Sequence, residues 1–179
     1  MELIYDTLCS LHNQNLVKKL YEESFPDNER RDFVELLRLI YTTDLFHAKA
    51  VFSGEVFIGF ITFWTFQEFV YIEHFATNKL HRNKGYGSSI FREIYHRYQG
   101  KVILEVEPPD NETAKRRIHF YEQLGMILTD YPYIQPAYSP RQSPVPLRIM
   151  VGKSISTDRR NIQSLADRMV SCVYCSRNE

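Results

Sequence analysis

A run of six residues, Arg82 to Gly87, places two glycines between a strand-like segment and a helix-like segment. The residues before it, Phe69 to Thr77, are apolar, β-branched and aromatic, which is typical of a strand, whereas Ser88 to Tyr98 carries apolar residues at helical spacing. A strand, a glycine turn and a helix in succession direct several backbone N–H groups and the positive end of the helix dipole to one point. Gly85 and Gly87 let the chain bend there and let an anion approach the backbone. The turn therefore predicts a site for a phosphorylated ligand.

Charge next to the glycines supports the same interpretation, because Arg82 and Lys84 supply cations for phosphate oxygens. The run is not a P-loop, since no Gly-Lys-Ser/Thr follows, and it lacks one of the three glycines of a dinucleotide fingerprint. Two glycines near a helix start also occur in an ordinary tight turn, so the glycines alone leave that alternative open.

The order of the next segments favours the phosphate site over an ordinary tight turn. A predicted strand, Val102 to Glu107, is followed by a second helix that ends in the run Phe120 to Met126. In this order the chain resembles the GNAT family, the GCN5-related N-acetyltransferases. Arg82 to Gly87 is similar to the family's acetyl-CoA loop, Arg/Gln-x-x-Gly-x-Gly/Ala, and Phe120 to Met126 is similar to its Phe-Tyr-x-x-Leu-Gly-Phe signature. The element order resembles the family over roughly residues 1 to 152, and the specific motifs cover residues 69 to 126.

One departure concerns Asn111-Glu112-Thr113-Ala114. Many members of the family place an Asn-x-x-Ala start seven residues before the signature tyrosine, whereas Asn111 lies ten residues before Tyr121. The resemblance implies a GNAT-type acyl-CoA N-acyltransferase fold of the α/β class, with a mixed, mostly antiparallel sheet and helices on both faces. We expect this domain over residues 1–153 and a helical C-terminal extension over residues 154–179.

The resemblance also implies an enzyme with acetyl-CoA as co-substrate and no metal. The strand before the glycine turn would hold the pantetheine arm and the turn would hold the diphosphate. The residues predicted to contact acetyl-CoA are Phe75, Ala76, Thr77, Arg82, Asn83, Lys84, Gly85, Tyr86, Gly87, Ser88 and Phe120.

Acetyl transfer to an amine requires a neutral nitrogen and a protonated leaving sulfur. By analogy with lysine, only about one amine in a thousand is neutral near pH 7, so a carboxylate in the cleft is needed to take the proton. Glu73 is the first candidate because it precedes Phe75 by two residues and should share its strand face; Glu105 and Glu107 are weaker candidates. Tyr121 matches the family tyrosine that can protonate the departing thiolate. The alternatives are a solvated or ion-paired Glu73 and a Tyr121 packed in the core.

Composition restricts the partners. The chain has 22 basic and 22 acidic residues, and this balance argues against nucleic acid or an anionic membrane as the main partner. Three cysteines fit a reducing cytoplasm. We expect a small-molecule primary amine as acceptor and direct attack in a ternary complex. A protein or peptide amine, a non-catalytic CoA-binding module and a nucleotide-binding domain are the alternatives, and pairing of two copies into a homodimer stays open.

Four further predictions concern the rest of the chain. Asp27 is a plausible N-cap for the second helix, and the proline-rich loop from Tyr131 to Pro146 is long enough to be functional or an interface. Apolar residues recur at helical spacing from Ile162 to Val173, which indicates a C-terminal helix packed on the domain or on a partner. Cys172 and Cys175 have metal-ligand spacing but no second pair, so two cysteines at a helix end is the preferred interpretation.

Overall fold

Eight strands pair into one sheet within residues 2–174, the part of the chain that this computed structural model describes. The sheet order is β1-β2-β3-β4-β5-β8-β6, and β7 pairs with β8. Every pairing is antiparallel except that of β4 with β5. The strands are β1 (Ile4–Thr7), β2 (Phe46–Ser53), β3 (Val56–Thr65), β4 (Val70–Thr77), β5 (Val102–Val106), β6 (Met126–Leu128), β7 (Tyr133–Gln135) and β8 (Val145–Gly152).

Helices cover both faces of the sheet, which confirms the predicted architecture. One face carries a core built with α1, α2 and α5, and the other face carries a core built with α3 and α4. Apolar residues at helical spacing produce these buried stripes, as in Ile90, Phe91 and Ile94 of α3. The helices are α1 (Leu11–Ser24), α2 (Phe33–Thr42), α3 (Tyr86–Arg97), α4 (Glu112–Glu122) and α5 (Arg159–Val173).

The start of α2 differs from the prediction. Asp32, not Asp27, is its N-cap, and the Asp32 carboxylate accepts a hydrogen bond of 2.8 Å from the Val34 N–H. Asp27 instead begins a short 3₁₀ turn, Asp27–Glu29. The prediction of Asp27 as the cap is wrong because a second aspartate lies directly next to the helix, where its side chain reaches an unpaired amide.

The C-terminal helix α5 packs on the domain itself. It buries Ile162, Ala166, Met169 and Val173 against the core that α1 and α2 share. The predicted apolar face of this helix is therefore confirmed, and the surface that it packs against belongs to the same chain. Cys175 lies outside the described residues, so the predicted pair of cysteines at the helix end is described only for Cys172.

The loop between β6 and β8 is attached across the sheet to the segment before α2. It contains the three-residue strand β7, and the Gln142 side chain donates to the Arg30 carbonyl at 2.8 Å. Gln135 and Ser143 donate to Asn28 at 3.4 and 3.3 Å. These bonds fix the loop over one end of the sheet.

None of the helices within residues 2–174 is both long and apolar enough to cross a bilayer. Within the same residues, no three His, Cys, Asp or Glu side chains form a group that could hold a metal ion.

Candidate active site

The candidate site is the gap that opens between the two parallel strands. β4 and β5 pair at Val70 to Ile72 and Val102 to Leu104, and the pairing stops there. From Glu73 to Thr77, β4 remains paired with β3 alone, so its other edge has no neighbouring strand. Unpaired backbone groups need hydrogen-bond partners, and a ligand with amide groups can supply them.

A β-bulge at Glu73 accompanies this divergence. Phe63 of β3 lies opposite Ile72 and Thr62 lies opposite His74, so Glu73 is the extra residue of β4. Bulges bend a strand and increase its twist, which separates β4 from β5. The bulge could not be predicted from the sequence, because one inserted residue does not interrupt the run of apolar and aromatic residues from Phe69 to Thr77.

The gap continues as a cavity of about 630 Å³ that runs past the glycine turn. β4 and β5 form its sides, and α4 contributes Thr113, Arg116 and Arg117. We call the part of the cavity away from α3 the acceptor end. It is lined by Ser24, Phe25, Glu29, Gln135 and Leu147.

The glycine turn has the geometry that its sequence predicts. Gly85 is the N-cap of α3 with φ 81°, and Asn83 is also left-handed with φ 59°. No side chain caps the helix, so the N–H groups of its first turn are left for another partner. A methyl group at Gly87 would lie 3.2 Å from Thr77 Oγ1, so a glycine here lets α3 lie close to β4.

Three arginines lie at this side of the cavity. The Arg82 Nε donates to the Thr77 carbonyl at 3.2 Å, which holds that side chain beside the turn. Arg117 forms an ion pair with Glu107, whereas Arg116 lines the cavity without an ion pair among residues 2–174. The combination of a helix N-terminus and arginines suits an anionic group such as a diphosphate.

Glu73 has its side chain on the α1 and α2 face, where it is fully buried in an ion pair. Its Oε1 accepts from Arg31 Nε at 3.1 Å and forms a salt bridge of 2.5 Å with Arg31 Nη2, and its Oε2 accepts from Trp64 Nε1 at 2.9 Å. Burial pushes the pKa of Glu73 upward, but Arg31 outweighs it, and the net pKa lies below the ordinary value. The expectation that Glu73 shares a face with Phe75 is wrong, because Phe75 packs on the α3 and α4 face. The bulge breaks the two-residue alternation between them.

Glu105 is the first residue of β5 after the pairing stops, and it is half-buried in the cavity wall. The Tyr71 hydroxyl donates to its Oε2 at 2.9 Å, and the Tyr174 hydroxyl lies 3.4 Å from the same oxygen. Burial raises the pKa of Glu105 to about 7, although the nearby Tyr133 hydroxyl and the hydrogen bonds from Tyr71 and Tyr174 oppose this rise. A carboxyl group with this pKa changes charge near neutral pH.

Tyr121 lies on α4 at the α3 side of the cavity. Its ring packs at 5.3 Å from Phe91 and 5.2 Å from Phe120, and its hydroxyl makes no hydrogen bond within residues 2–174. Burial raises the pKa of Tyr121 to about 12, with Arg117 acting in the opposite direction. The phenol is therefore protonated at neutral pH and has its hydroxyl available for a ligand.

Comparison with known proteins identifies the family. The sequence profile described as Acetyltransferase (GNAT) family matches residues 13–126. The chain belongs to the GNAT acetyltransferase family. A solved structure from Bacteroides thetaiotaomicron, assigned to the GNAT family, is 33% identical with a TM-score of 0.89 and covers 97% of this chain and 98% of its own. Comparison with curated protein sequences gives no match.

More distant GNAT structures share the fold alone. The ribosomal-protein-S18-alanine N-acetyltransferase of Escherichia coli is 12% identical with a TM-score of 0.58, over 87% of this chain and 99% of its own. A spermidine N-acetyltransferase chimera of Vibrio cholerae SpeG and hSSAT is 13% identical with a TM-score of 0.59, over 86% and 98% of the two chains. The two act on different kinds of acceptor, so the fold does not determine the acceptor of this GNAT protein.

Most residues predicted to form the GNAT site line the one cavity. Asn111 does not; it is the N-cap of α4 and accepts from the Ala114 N–H at 2.9 Å. Lys84 and Tyr86 belong to the turn but are absent from the lining. The predicted residues in the lining are Glu73, Phe75, Ala76, Thr77, Arg82, Asn83, Gly85, Gly87, Ser88, Phe120 and Tyr121.

Three groups that contact the carboxylates of Glu73 and Glu105 were not predicted from the sequence: the Arg31 guanidinium and the Tyr71 and Tyr174 hydroxyls. Arg31 lies in a polar and charged run, residues 28–31, yet it is only 3% exposed. Tyr174 lies in the segment between the two C-terminal cysteines, far along the chain from Glu105. Neither Arg31 nor Tyr174 lies in a local sequence pattern that predicts its hydrogen-bond partner.

Proposed function

We propose that this GNAT protein transfers the acetyl group of acetyl-CoA to the primary amine of a small molecule, in the cytoplasm and by direct attack within a ternary complex. The observation that carries the proposal is the position of Glu105 in the cavity wall, where β4 and β5 diverge. Burial there raises the pKa of its carboxyl group to about 7. A base with a pKa near the working pH is well suited to take a proton from an ammonium group.

The cofactor-binding residues follow from the same geometry. The free edge of β4, at Phe75, Ala76 and Thr77, would pair with the amide groups of the pantetheine arm. The first turn of α3, together with Arg82 and Arg116, would hold the diphosphate. Asn83, Lys84, Gly85, Tyr86, Gly87, Ser88 and Phe120 complete the set that we assign to acetyl-CoA.

Two side chains would handle the protons. Acetyl-CoA supplies the thioester carbonyl that the amine nitrogen attacks, with loss of the carbon–sulfur bond and formation of an amide. Glu105 accepts the proton that the nitrogen loses, and the Tyr121 hydroxyl gives a proton to the leaving sulfur. Glu73 was the first sequence-based candidate for the base. Because its carboxylate is held by Arg31 and Trp64, we assign it to fixing Arg31 and assign proton acceptance to Glu105.

The attached loop supports a small acceptor over a protein chain. Gln142 and Gln135 connect the loop to the segment before α2, across the acceptor end of the cavity. An extended peptide that crosses this end would have to displace these bonds, whereas a small amine would not. The carboxyl groups of Glu29 and Glu105 at this end favour a cationic amine.

The test is release of free thiol from acetyl-CoA with a panel of acceptors. We expect turnover with small alkyl or aryl amines and little with peptides that carry a free N-terminus or lysine. Turnover with peptides alone would shift the assignment to a protein acceptor. Acetyl-CoA binding without thiol release for any acceptor would indicate a binding module.

A further inference from the structure

The end of the C-terminal helix contacts Arg31 and Glu105, and Glu105 belongs to the cavity wall. The Val173 carbonyl accepts from Arg31 Nη2 at 3.4 Å, and the Tyr174 hydroxyl lies 3.5 and 3.4 Å from the two carboxylate oxygens of Glu105. Both residues lie beyond residues 13–126, the part that the family profile matches. A segment outside the family motifs therefore contacts the candidate base.

Tyr174 is part of a chain of phenol hydroxyls. Its hydroxyl lies 3.2 Å from that of Tyr71 and 3.4 Å from that of Tyr138. Each hydroxyl has one proton, and all three find acceptors if Tyr138 donates to Tyr174 while Tyr174 and Tyr71 both donate to Glu105. This arrangement places two phenol donors, one from β4 and one from the end of α5, on a single carboxylate.

Packing of α5 does not require this hydroxyl. Ile162, Ala166, Met169 and Val173 already bury the apolar face of the helix. Tyr174 is the residue after the last turn, and its phenol is 8% exposed with the hydroxyl directed to Glu105. A phenylalanine would fill nearly the same volume, so Tyr174→Phe removes the hydroxyl and keeps the packing of the ring.

We propose that Tyr174 is a positioning residue of the acetyl-transfer site, which holds the Glu105 carboxylate toward the amine acceptor. The proposal rests on the function proposed above. Hydrogen bonds to an ionised carboxylate favour the ionised form, so Tyr174 also keeps Glu105 able to accept a proton. The titratable or charged groups that face Glu105 are Tyr71 and Glu73 on β4, Tyr133 on β7, Tyr138 in the loop, and Tyr174.

The test compares Tyr174→Phe with the wild-type protein and with Tyr95→Phe. Tyr95 is a matched control, because its hydroxyl donates to the Gly125 carbonyl at 3.0 Å and does not contact the carboxylate. Two quantities are measured: the pH dependence of kcat/KM for the amine, and the pKa of Glu105 from ¹³C NMR titration of labelled glutamate. Glu105→Gln assigns the resonance.

Loss of the Tyr174 hydroxyl should raise the pKa of Glu105 by about 0.5 to 1, since a hydrogen bond of 3.4 Å is a weak one. Starting from a pKa of about 7, kcat/KM at pH 7 should fall about two- to fivefold and recover near pH 9. We expect the KM for acetyl-CoA to stay unchanged and Tyr95→Phe to show neither effect.

An unchanged NMR pKa in Tyr174→Phe would overturn the proposal, and so would an equal shift in Tyr95→Phe. Failure of the proposed function is a separate outcome. In that case the wild-type protein releases no thiol with any amine, and the NMR titration still decides whether Tyr174 acts on Glu105.

Discussion

Glu73 and Glu105 are the first residues of β4 and β5 beyond the last paired positions, Ile72 and Leu104, yet their carboxyl groups have opposite acid–base behaviour. Arg31 keeps the pKa of Glu73 below its ordinary value despite burial, whereas burial raises the pKa of Glu105 to about 7. Both side chains lie on the α1, α2 and α5 face, where Arg31 and Trp64 hold the Glu73 carboxylate and the Tyr71 hydroxyl donates to Glu105. Two adjacent strands thereby provide a fixed ion pair and a group that titrates near neutrality.

Replacement of Glu105 by glutamine should lower kcat about 100-fold or more at pH 7, because the amide cannot accept the proton of the ammonium. In the wild-type protein, kcat/KM should rise with pH through about 7 as Glu105 ionises, and Glu105→Gln should lack this rise. Thiol release measured from pH 5.5 to pH 9 checks both statements.

Glu68→Gln is the control for this experiment, since Glu68 is an exposed carboxylate that pairs with Arg168 away from the cavity. It should retain the wild-type rate and pH profile. A Glu105→Gln protein with full activity would show that Glu105 is not the base. Another carboxylate of the cleft would then have to accept the proton.

Tyr121→Phe should lower kcat at least about tenfold at pH 7 and leave the affinity for acetyl-CoA nearly unchanged. The phenol makes no hydrogen bond within residues 2–174, so loss of its hydroxyl should also leave the melting temperature close to that of the wild type. Thiol release, calorimetric titration with CoA and a thermal melt measure the three quantities. A wild-type rate in Tyr121→Phe would assign this residue to packing.

The local features of the fold and of the CoA side could be predicted from the sequence. The strand before Arg82, the left-handed Gly85 and the helix after it all follow from neighbouring residues, and so does the buried stripe of α5. These features depend on residues that are one to four positions apart in the chain, so the order of residues in the sequence is enough to predict them.

The acceptor end could not be predicted, because its contacts join distant parts of the chain. Arg31 and Glu73 are 42 residues apart, and Tyr174 and Glu105 are 69 apart. The bulge at Glu73 places its side chain and that of Phe75 on opposite faces, and the N-cap of α2 is Asp32 in place of Asp27. Such contacts depend on tertiary pairing, for which a single sequence carries no signal.

Gly85→Ala should weaken binding of acetyl-CoA and lower the free energy of unfolding by about 1 kcal/mol, because a non-glycine residue is disfavoured at φ 81°. Gly54→Ala is a matched control: it also has positive φ, 58°, with open space around the site, but it lies in the β2–β3 hairpin. We expect a similar loss of stability in both variants and reduced affinity for acetyl-CoA in Gly85→Ala alone. Equal affinities would argue against the turn as the diphosphate site.

Arg31→Met should destabilise the protein by about 3–5 kcal/mol, since it leaves the buried Glu73 carboxylate without its cation. The double variant Arg31→Met with Glu73→Leu should lose less than this single variant, because no charge is then left unpaired. Urea denaturation of the two single variants and the double variant gives the coupling between the residues. Additive losses would contradict an ion pair at this position.

Glu105 should also make stability depend on pH, in the direction opposite to that of an ion-paired carboxylate. Its pKa is about 7 in the folded protein and near its ordinary 4.5 in the unfolded chain, so between these values the folded state binds a proton that the unfolded state has released. The contribution of Glu105 to the free energy of unfolding should therefore fall as pH rises from about 4.5 to about 7, by up to about 3 kcal/mol. Since glutamine does not titrate, Glu105→Gln should gain stability relative to the wild type over this range. Urea denaturation at pH 5 and pH 8 measures this gain, and a difference between the two proteins that stays constant with pH would show that Glu105 is not desolvated in the folded state.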